Sequence, residues 1–353
     1  VTRPRDPGRT RPRLLFLHTG GTLSMVRRSR PGPLEPELYD RDLLPYVRGL
    51  EDFADIDGRV VASIDSSDMH PVLWEAIAQQ IAVSRTDYDG FVVLHGTDTM
   101  AYTAAALSFM LQGLDRPVVL TGSQRPIAEL RTDARTNLVH SAMCATMAIP
   151  EVGLFFGTCL YRGNRASKVS IQAYDAFASP NFPPLVQMGV DVIPSASPLQ
   201  PKGEFRLATG FEREVAVLHL VPGSSARPLQ ALVDSGVRAV VLLAFGEGNL
   251  PLVGWPEAIR AATDCGVPIV IVSQCRTGDA LPGRYQGSSA ARDAGAVFAG
   301  DHTVEAAVVK TMWLLGQGLA LPAFAEAFGR PVAGECTPRR RHTARGSGRD
   351  PAR

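Results

Sequence analysis

The stretch "LLFLHTGGT" (Leu14–Thr22) decides the fold. An apolar run of strand length ends abruptly at His18, and two glycines follow, bracketed by Thr19 and Thr22. The run does not alternate polar and apolar residues. Strands buried on both faces read this way, and they belong to parallel sheets covered by helices. Similar runs recur at Phe91–His95, Pro117–Thr121, Val152–Phe156, Glu214–Leu220, Ala239–Phe245 and Pro268–Ser273. Between them, Pro71–Val83, Met100–Leu114 and Val304–Gly318 carry apolar residues at helical spacing. Alternating strands and helices predict an α/β architecture with right-handed crossovers.

One region breaks the alternation. Five of the 27 prolines fall between Pro180 and Pro198, which disfavours helix or central strand there. The chain therefore divides into a larger N-terminal parallel-sheet domain, residues 13–195, a linker, 196–210, and a smaller C-terminal α/β domain, 211–334. Residues 1–12 and 335–353 are rich in Arg, Pro and Gly and lack apolar periodicity, so they read as solvated tails. A chain of 353 residues suits two such cores.

Composition excludes several classes of function. A formal net charge of +1 gives no overall field for nucleic acid or for a membrane surface. No apolar run approaches the ~20 residues of a membrane helix. The N-terminus offers charge and proline where a secretory signal has an apolar segment. The five cysteines form no C-x-x-C pair, and the seven histidines no H-E-x-x-H, so neither a disulfide framework nor a metal centre is expected. These features predict a soluble, cytoplasmic protein without cofactor.

In open parallel sheets, ligands bind beyond the carboxyl ends of the strands. The residues there are His18–Thr22, His95–Thr99, Gly122–Gln124 and Gly246–Asn249, mostly glycines and small hydroxyl residues. The first loop is neither G-x-G-x-x-G nor G-x-x-x-x-G-K-[ST], which removes the main support for a nucleotide site. In "HGTDTM", Thr97, Asp98 or Thr99 can cap the following helix, or Asp98 can receive an ammonium group. In "IDSSDM", Asp65, Ser66 and Ser67 can likewise cap, or can hold the charged ends of an amino acid. Lys168, in "YRGNRASK", is either a surface lysine or points into the same crevice.

"HTGGTLSM", "DSSDM", "DYDGFVVLHGTDTMAYTAAALSFML", "TGSQRP", "LYRGNRASK" and "DAFASPNFPPL" stand in one order and spacing. Together they resemble the bacterial-type L-asparaginases, particularly the cytoplasmic type I branch, from about Leu14 to Gly334. The resemblance implies that Thr22 is a nucleophile that attacks the side-chain amide of L-asparagine, with an aspartyl ester as intermediate. It implies that Thr97, Asp98 and Lys168 form the proton relay, and that Asp65, Ser66 and Ser67, with Asp98, hold the substrate's ends. It implies a homodimer or homotetramer in which Asn249 completes a neighbour's site; as a residue after Gly248, Asn249 reads equally as a turn residue. L-glutamine is a possible second substrate. A glutaminase-asparaginase, the deamidating subunit of a tRNA amidotransferase and a non-catalytic amino-acid-binding protein are the alternatives. The amidotransferase subunit normally carries an extra N-terminal domain, and only about a dozen residues precede Leu14 here.

Two positions depart from the family pattern. The lid that follows the nucleophile usually presents a tyrosine. Here Gly32-Pro33-Leu34 stand in its place, and Tyr39 is off register. Some type I enzymes also have a second, regulatory asparagine site that uses an arginine at a C-terminal strand end. Leu243 occupies that position, although the neighbouring turn remains as Ser273-Gln274-Cys275.

Overall fold

The computed structural model of the chain describes residues 11–26, 35–36 and 44–338. The larger sheet contains β1 (Arg13–Gly20), β2 (Asp55–Ile64), β3 (Gly90–Leu94), β4 (Val118–Thr121), β5 (Val152–Phe156), β6 (Cys159–Arg162), β7 (Val186–Met188) and β8 (Val192–Pro194). Their order is β8-β7-β6-β5-β4-β3-β1-β2. The five strands from β5 to β2 are parallel, whereas β6, β7 and β8 join antiparallel. The sheet is therefore mixed, with a parallel majority. The smaller domain holds an all-parallel sheet of β9 (Val215–His219), β10 (Ala239–Ala244), β11 (Ile269–Ser273) and β12 (Val297–Phe298), in that order.

The continuous apolar runs do bury both faces. On β1, Leu15 and Leu17 enter one core while Leu14 and Phe16 enter the other; on β3, Phe91 and Val93 divide from Val92 and Leu94 in the same way. Each such side chain contributes roughly 1.5–3 kcal/mol of burial. One of these cores continues into the smaller domain through Val241, Val270, Val272, Val309 and Trp313. The helix Met100–Met110 lies at this junction, with only Tyr102 partly exposed. Phe109 stacks on Trp313 at 5.9 Å between ring centroids, and Trp313 donates Nε1–H to the Ala208 carbonyl at 2.9 Å.

Several expectations change. The helix from Met100 stops at Met110, because Leu111–Gln112 pairs as a short strand with Arg206–Leu207. The end of the expected linker is thus held to the larger domain by a β-ladder. Strand β2, ten residues of "DIDGRVVASI", escapes an apolar-run criterion because it is a mostly exposed edge. Among the proline-rich residues, β7 and β8 form at the other edge, where Pro194 costs no internal ladder bond. A C-terminal tail starting at residue 335 is also corrected. Glu335 is fully buried against Lys310, and Thr337 bonds Asp301, so the folded body extends through Thr337. Residues 339–353 lie outside the described residues, as do residues 1–10 of the expected N-terminal tail.

All five cysteines are free thiols. Among the described residues, no helix is long and apolar enough to cross a membrane.

Candidate active site

Gly20, which ends β1, and Gly21 after it have φ of 97° and 91°, a region that L side chains avoid. They are also the points of closest approach. A Cβ on Gly20 would lie 2.3 Å from the Ile64 carbonyl oxygen, and one on Gly21 would lie 2.4 Å from the Gly96 nitrogen. A Cβ on Gly96 would in turn meet Ser66 at 2.6 Å, and one on Gly122 would meet the His95 carbonyl at 2.2 Å. The loops after β1, β2, β3 and β4 are therefore stacked backbone against backbone at the carboxyl edge of the sheet.

The two threonines that bracket the glycines separate in role. Thr19 is buried and donates its hydroxyl to the Leu94 carbonyl at 2.9 Å, which ties β1 to β3. Thr22 is half-buried and opens a 3-10 helix of one turn, Thr22–Ser24.

Capping does not explain "HGTDTM". Thr99 is the N-cap residue of the helix Met100–Met110, yet it makes no side-chain cap bond; its hydroxyl donates to the Ser66 carbonyl at 2.7 Å. Lys168 takes the other two residues. Its Nζ donates to Thr97 Oγ1 at 2.8 Å and to Asp98 Oδ1 at 2.6 Å. The lysine side chain is only 17% exposed and Thr97 is buried, whereas the Asp98 side chain is 68% exposed. Lys168 is therefore held by two polar partners and is not a solvated surface lysine. In "IDSSDM" Asp65 caps the 3-10 turn Ser66–Asp68 and not the helix Pro71–Ser84, whose N-cap is His70: Asp65 Oδ1 accepts from the Ser67 amide at 2.8 Å, and this bonding holds the Asp65 carboxyl below its usual range. Ser66 is buried and Ser67 exposed beside it.

His95 is a residue that the sequence reading passed over. Trp74 Nε1–H donates to Thr103 Oγ1 at 2.9 Å, and Thr103 Oγ1 lies 2.8 Å from His95 Nε2. The Gly96 carbonyl can only accept, so in the neutral ring Nδ1 carries the proton and Nε2 accepts from the threonine hydroxyl. His95 Nδ1–H then donates to the Gly96 carbonyl at 2.7 Å. A neutral imidazole with both nitrogens bonded thus braces the loop that carries Thr97 and Asp98.

Burial pushes His95 down to about 4, and burial followed by the Lys310 charge does the same to His302. Both histidines are lowered in the folded protein, so the unfolded chain binds more protons as pH falls from about 6.5 to about 4. Their contribution to stability is complete above about pH 6.5 and is lost through that window, up to about 3 kcal/mol for each. The urea midpoint should therefore drop steeply between pH 7 and pH 4.5. A flat midpoint over that range would contradict the buried neutral state of both rings.

Asn249 stands apart from Lys168, in the smaller domain. It closes a tight turn by accepting from the Phe245 amide and donating back to the Phe245 carbonyl, and its Oδ1 is buried. The turn borders a cavity of about 850 Å³ lined by Ser273, Cys275, Thr277 and Tyr285 among others. Lys168, Thr97 and Asp98 do not line this cavity. The lid positions Gly32, Pro33, Leu34 and Tyr39 lie outside the described residues.

His302, Glu335 and Cys336 bring three potential metal ligands within 4.8 Å of one another. The Glu335 oxygens already accept from the buried Lys310 ammonium and from the Val332 and Ala333 amides. An ammonium beside the carboxylate opposes a second cation, so the cluster reads as a buried ion pair with its neighbours.

Fold and cluster together define a two-domain α/β protein whose hydroxyl, lysine and carboxylate groups meet at the carboxyl edge of the larger sheet. The family description "Asparaginase, N-terminal" matches residues 13–199, and "Glutaminase/Asparaginase C-terminal domain" matches residues 214–328. The chain belongs to the asparaginase family. It is 40% identical over 332 residues to L-asparaginase 1 of Escherichia coli, covering 91% of this chain and 97% of that one. It is 34% identical over 342 residues to a glutamyl-tRNA(Gln) amidotransferase subunit of Aeropyrum pernix, covering 93% and 80%. The thermostable L-asparaginase from Thermococcus kodakarensis superposes with a TM-score of 0.86 at 34% identity, covering 92% of this chain and 99% of that one.

Proposed function

We propose that the protein is an L-asparaginase that hydrolyses L-asparagine to L-aspartate and ammonia. The observation that carries this reading is the Lys168 ammonium held between Thr97 and Asp98, on a loop packed directly against the glycine before Thr22. In the proposed reaction, the Thr22 hydroxyl attacks the side-chain amide carbon, ammonia leaves, and water hydrolyses the aspartyl ester on Thr22. A hydroxyl needs a base or relay to act as a nucleophile. Thr97 accepts from Lys168 in the resting arrangement, so its own hydroxyl proton can pass to the departing amide nitrogen while its oxygen takes the proton of Thr22, which completes ammonia. Asp98 has an exposed carboxylate that can receive the substrate ammonium, and Asp65, Ser66 and Ser67 complete the hold on the substrate's ends. Backbone N–H groups around Gly96 and Thr97, near the start of the helix Met100–Met110, suit a developing oxyanion.

Similarity to the type I branch supports a cytoplasmic role in asparagine breakdown, and assembly as a homodimer or homotetramer in which Asn249 serves a neighbouring site. Identity favours the asparaginase reading over the amidotransferase one, at 40% to L-asparaginase 1 against 34% to the amidotransferase relative. Glutamine differs by one methylene, worth only about 1–3 kcal/mol of discrimination in a pocket.

Ammonia release from the two amides, compared as kcat/KM, tests the reading. Release from asparagine is expected; no release from either amide would leave only a binding protein. The rate curve should be hyperbolic. At the β10 end, Leu243 offers no charge to a second carboxylate, and the Gln274 amide is already spent on the Leu220 and Leu243 carbonyls at 2.7 and 2.9 Å. A sigmoidal curve abolished by Cys275→Ala would show a regulatory site that works without the arginine.

A further inference from the structure

Lys168 belongs to a two-residue strand, Ser167–Lys168, paired antiparallel with Phe177–Ala178. Successive side chains of a strand point to opposite sides. Lys168 reaches Thr97 and Asp98. Ser167 turns the other way and donates its hydroxyl to Glu305 Oε1 at 2.6 Å. Glu305 sits in the first turn of the helix Val304–Gly316, whose N-cap Thr303 accepts from the Ala306 amide. The smaller domain therefore grips the backbone directly beneath the lysine. It does so again just upstream. Asn164 donates to the Ala333 carbonyl at 2.9 Å, and Arg165 donates to the Gly334 carbonyl and to Asp301 Oδ2, both at 2.8 Å.

We propose that Glu305, acting through Ser167, is a positioning residue for Lys168: it fixes the strand from which the ammonium reaches Thr97 and Asp98. The proposal rests on the catalytic reading given above. A lysine ammonium is a compact charge on a flexible four-carbon stem, so it brings little orientation of its own. The backbone has to supply the precision, and a ladder of two residues supplies little. A short hydrogen bond to a carboxylate is the stronger restraint. Protein packed around the Glu305 carboxyl desolvates it and raises its pKa, while bonds from Ser167, from its own amide and from Thr303 oppose that rise. The helix N-terminus also favours its charged form. Groups at a reacting centre need placement within about 0.5 Å, and an error of about 1 Å costs on the order of 100-fold in rate.

Three variants separate position from charge and from general stability. Ser167→Ala and Glu305→Ala delete the bond, while Glu305→Gln keeps an acceptor oxygen for Ser167. The first two should lower kcat for asparagine by about 10- to 100-fold with KM changed by less than about threefold, and Glu305→Gln should restore kcat to near the wild-type value. A wild-type kcat in Ser167→Ala overturns the proposal. So does a loss in Glu305→Gln as deep as that in Glu305→Ala, because charge and not position would then be required. A crystal structure of Ser167→Ala gives a readout independent of turnover: Lys168 Nζ should leave hydrogen-bonding distance of Thr97. An unmoved ammonium overturns the proposal even if the wild-type protein turns over no asparagine, whereas absent wild-type turnover with a displaced ammonium overturns only the catalytic reading.

Discussion

Thr22→Ala should lower kcat for ammonia release from asparagine by about 10^4- to 10^6-fold, the order expected when a hydroxyl nucleophile that works with a relay is deleted. Affinity for aspartate should stay close to that of the wild type. The reason lies in the division of labour at the end of β1. Thr19 ties the strand to Leu94, and Gly20 and Gly21 set the close backbone approach to Ile64 and Gly96. Thr22 begins the next turn and is half-buried, so removing its hydroxyl leaves those contacts in place. Steady-state ammonia release and aspartate titration by calorimetry check both halves. A mutant that keeps more than about a hundredth of wild-type turnover removes Thr22 from the nucleophile's role. Aspartate affinity lost in step with turnover would place Thr22 in binding instead.

Lys168→Met should lower kcat by about 10^2- to 10^4-fold, the scale of a lost proton-transfer group. Stability should barely change. The ion pair with Asp98 joins the lysine to a side chain that is 68% exposed, and such pairs contribute only about 0–1 kcal/mol. Methionine preserves most of the stem's length and apolar bulk. What disappears is the donor to the buried Thr97 hydroxyl and the countercharge of Asp98. KM should rise as well, because Asp98 without its partner changes its hold on the substrate ammonium. The urea midpoint measured beside the kinetics separates the two roles. A variant with kcat within about fivefold of wild type would deny Lys168 a part in the relay, and a midpoint falling in proportion to activity would make it a structural lysine.

The architecture was legible wherever burial leaves a local imprint. Strands such as β1 and β3 show as unbroken apolar runs because both of their faces enter cores. Edges were not legible, since β2 is mostly exposed and β8 contains a proline. Their place in the sheet depends on what lies beside them and not on their own composition. The helix beginning at Met100 was legible but its end was not. An apolar pattern continues through Leu111, where pairing with Leu207 takes over the backbone. The buried segment at Glu335 was hidden because it is polar and proline-containing, and an ion pair and backbone bonds to Glu335 anchor it in place of an apolar face.

The sequence by itself determined the α/β class, the glycine turn after β1 and the residue types at the sheet's carboxyl edge. These are local demands: a positive φ calls for glycine, and a strand covered on both sides calls for apolar residues. The tertiary structure decided which hydroxyls are spent on the scaffold. Thr19 and Thr99 both spend their hydroxyls on carbonyls of neighbouring loops. It placed Lys168 on Thr97, 71 residues earlier in the chain, a pairing that the family resemblance implied but no local pattern did, and it alone set Glu305 behind Ser167, 138 residues away. The first contact is fixed by how distant loops meet at the edge of the larger sheet and the second by how the two domains pack, and no local pattern of residues encodes either.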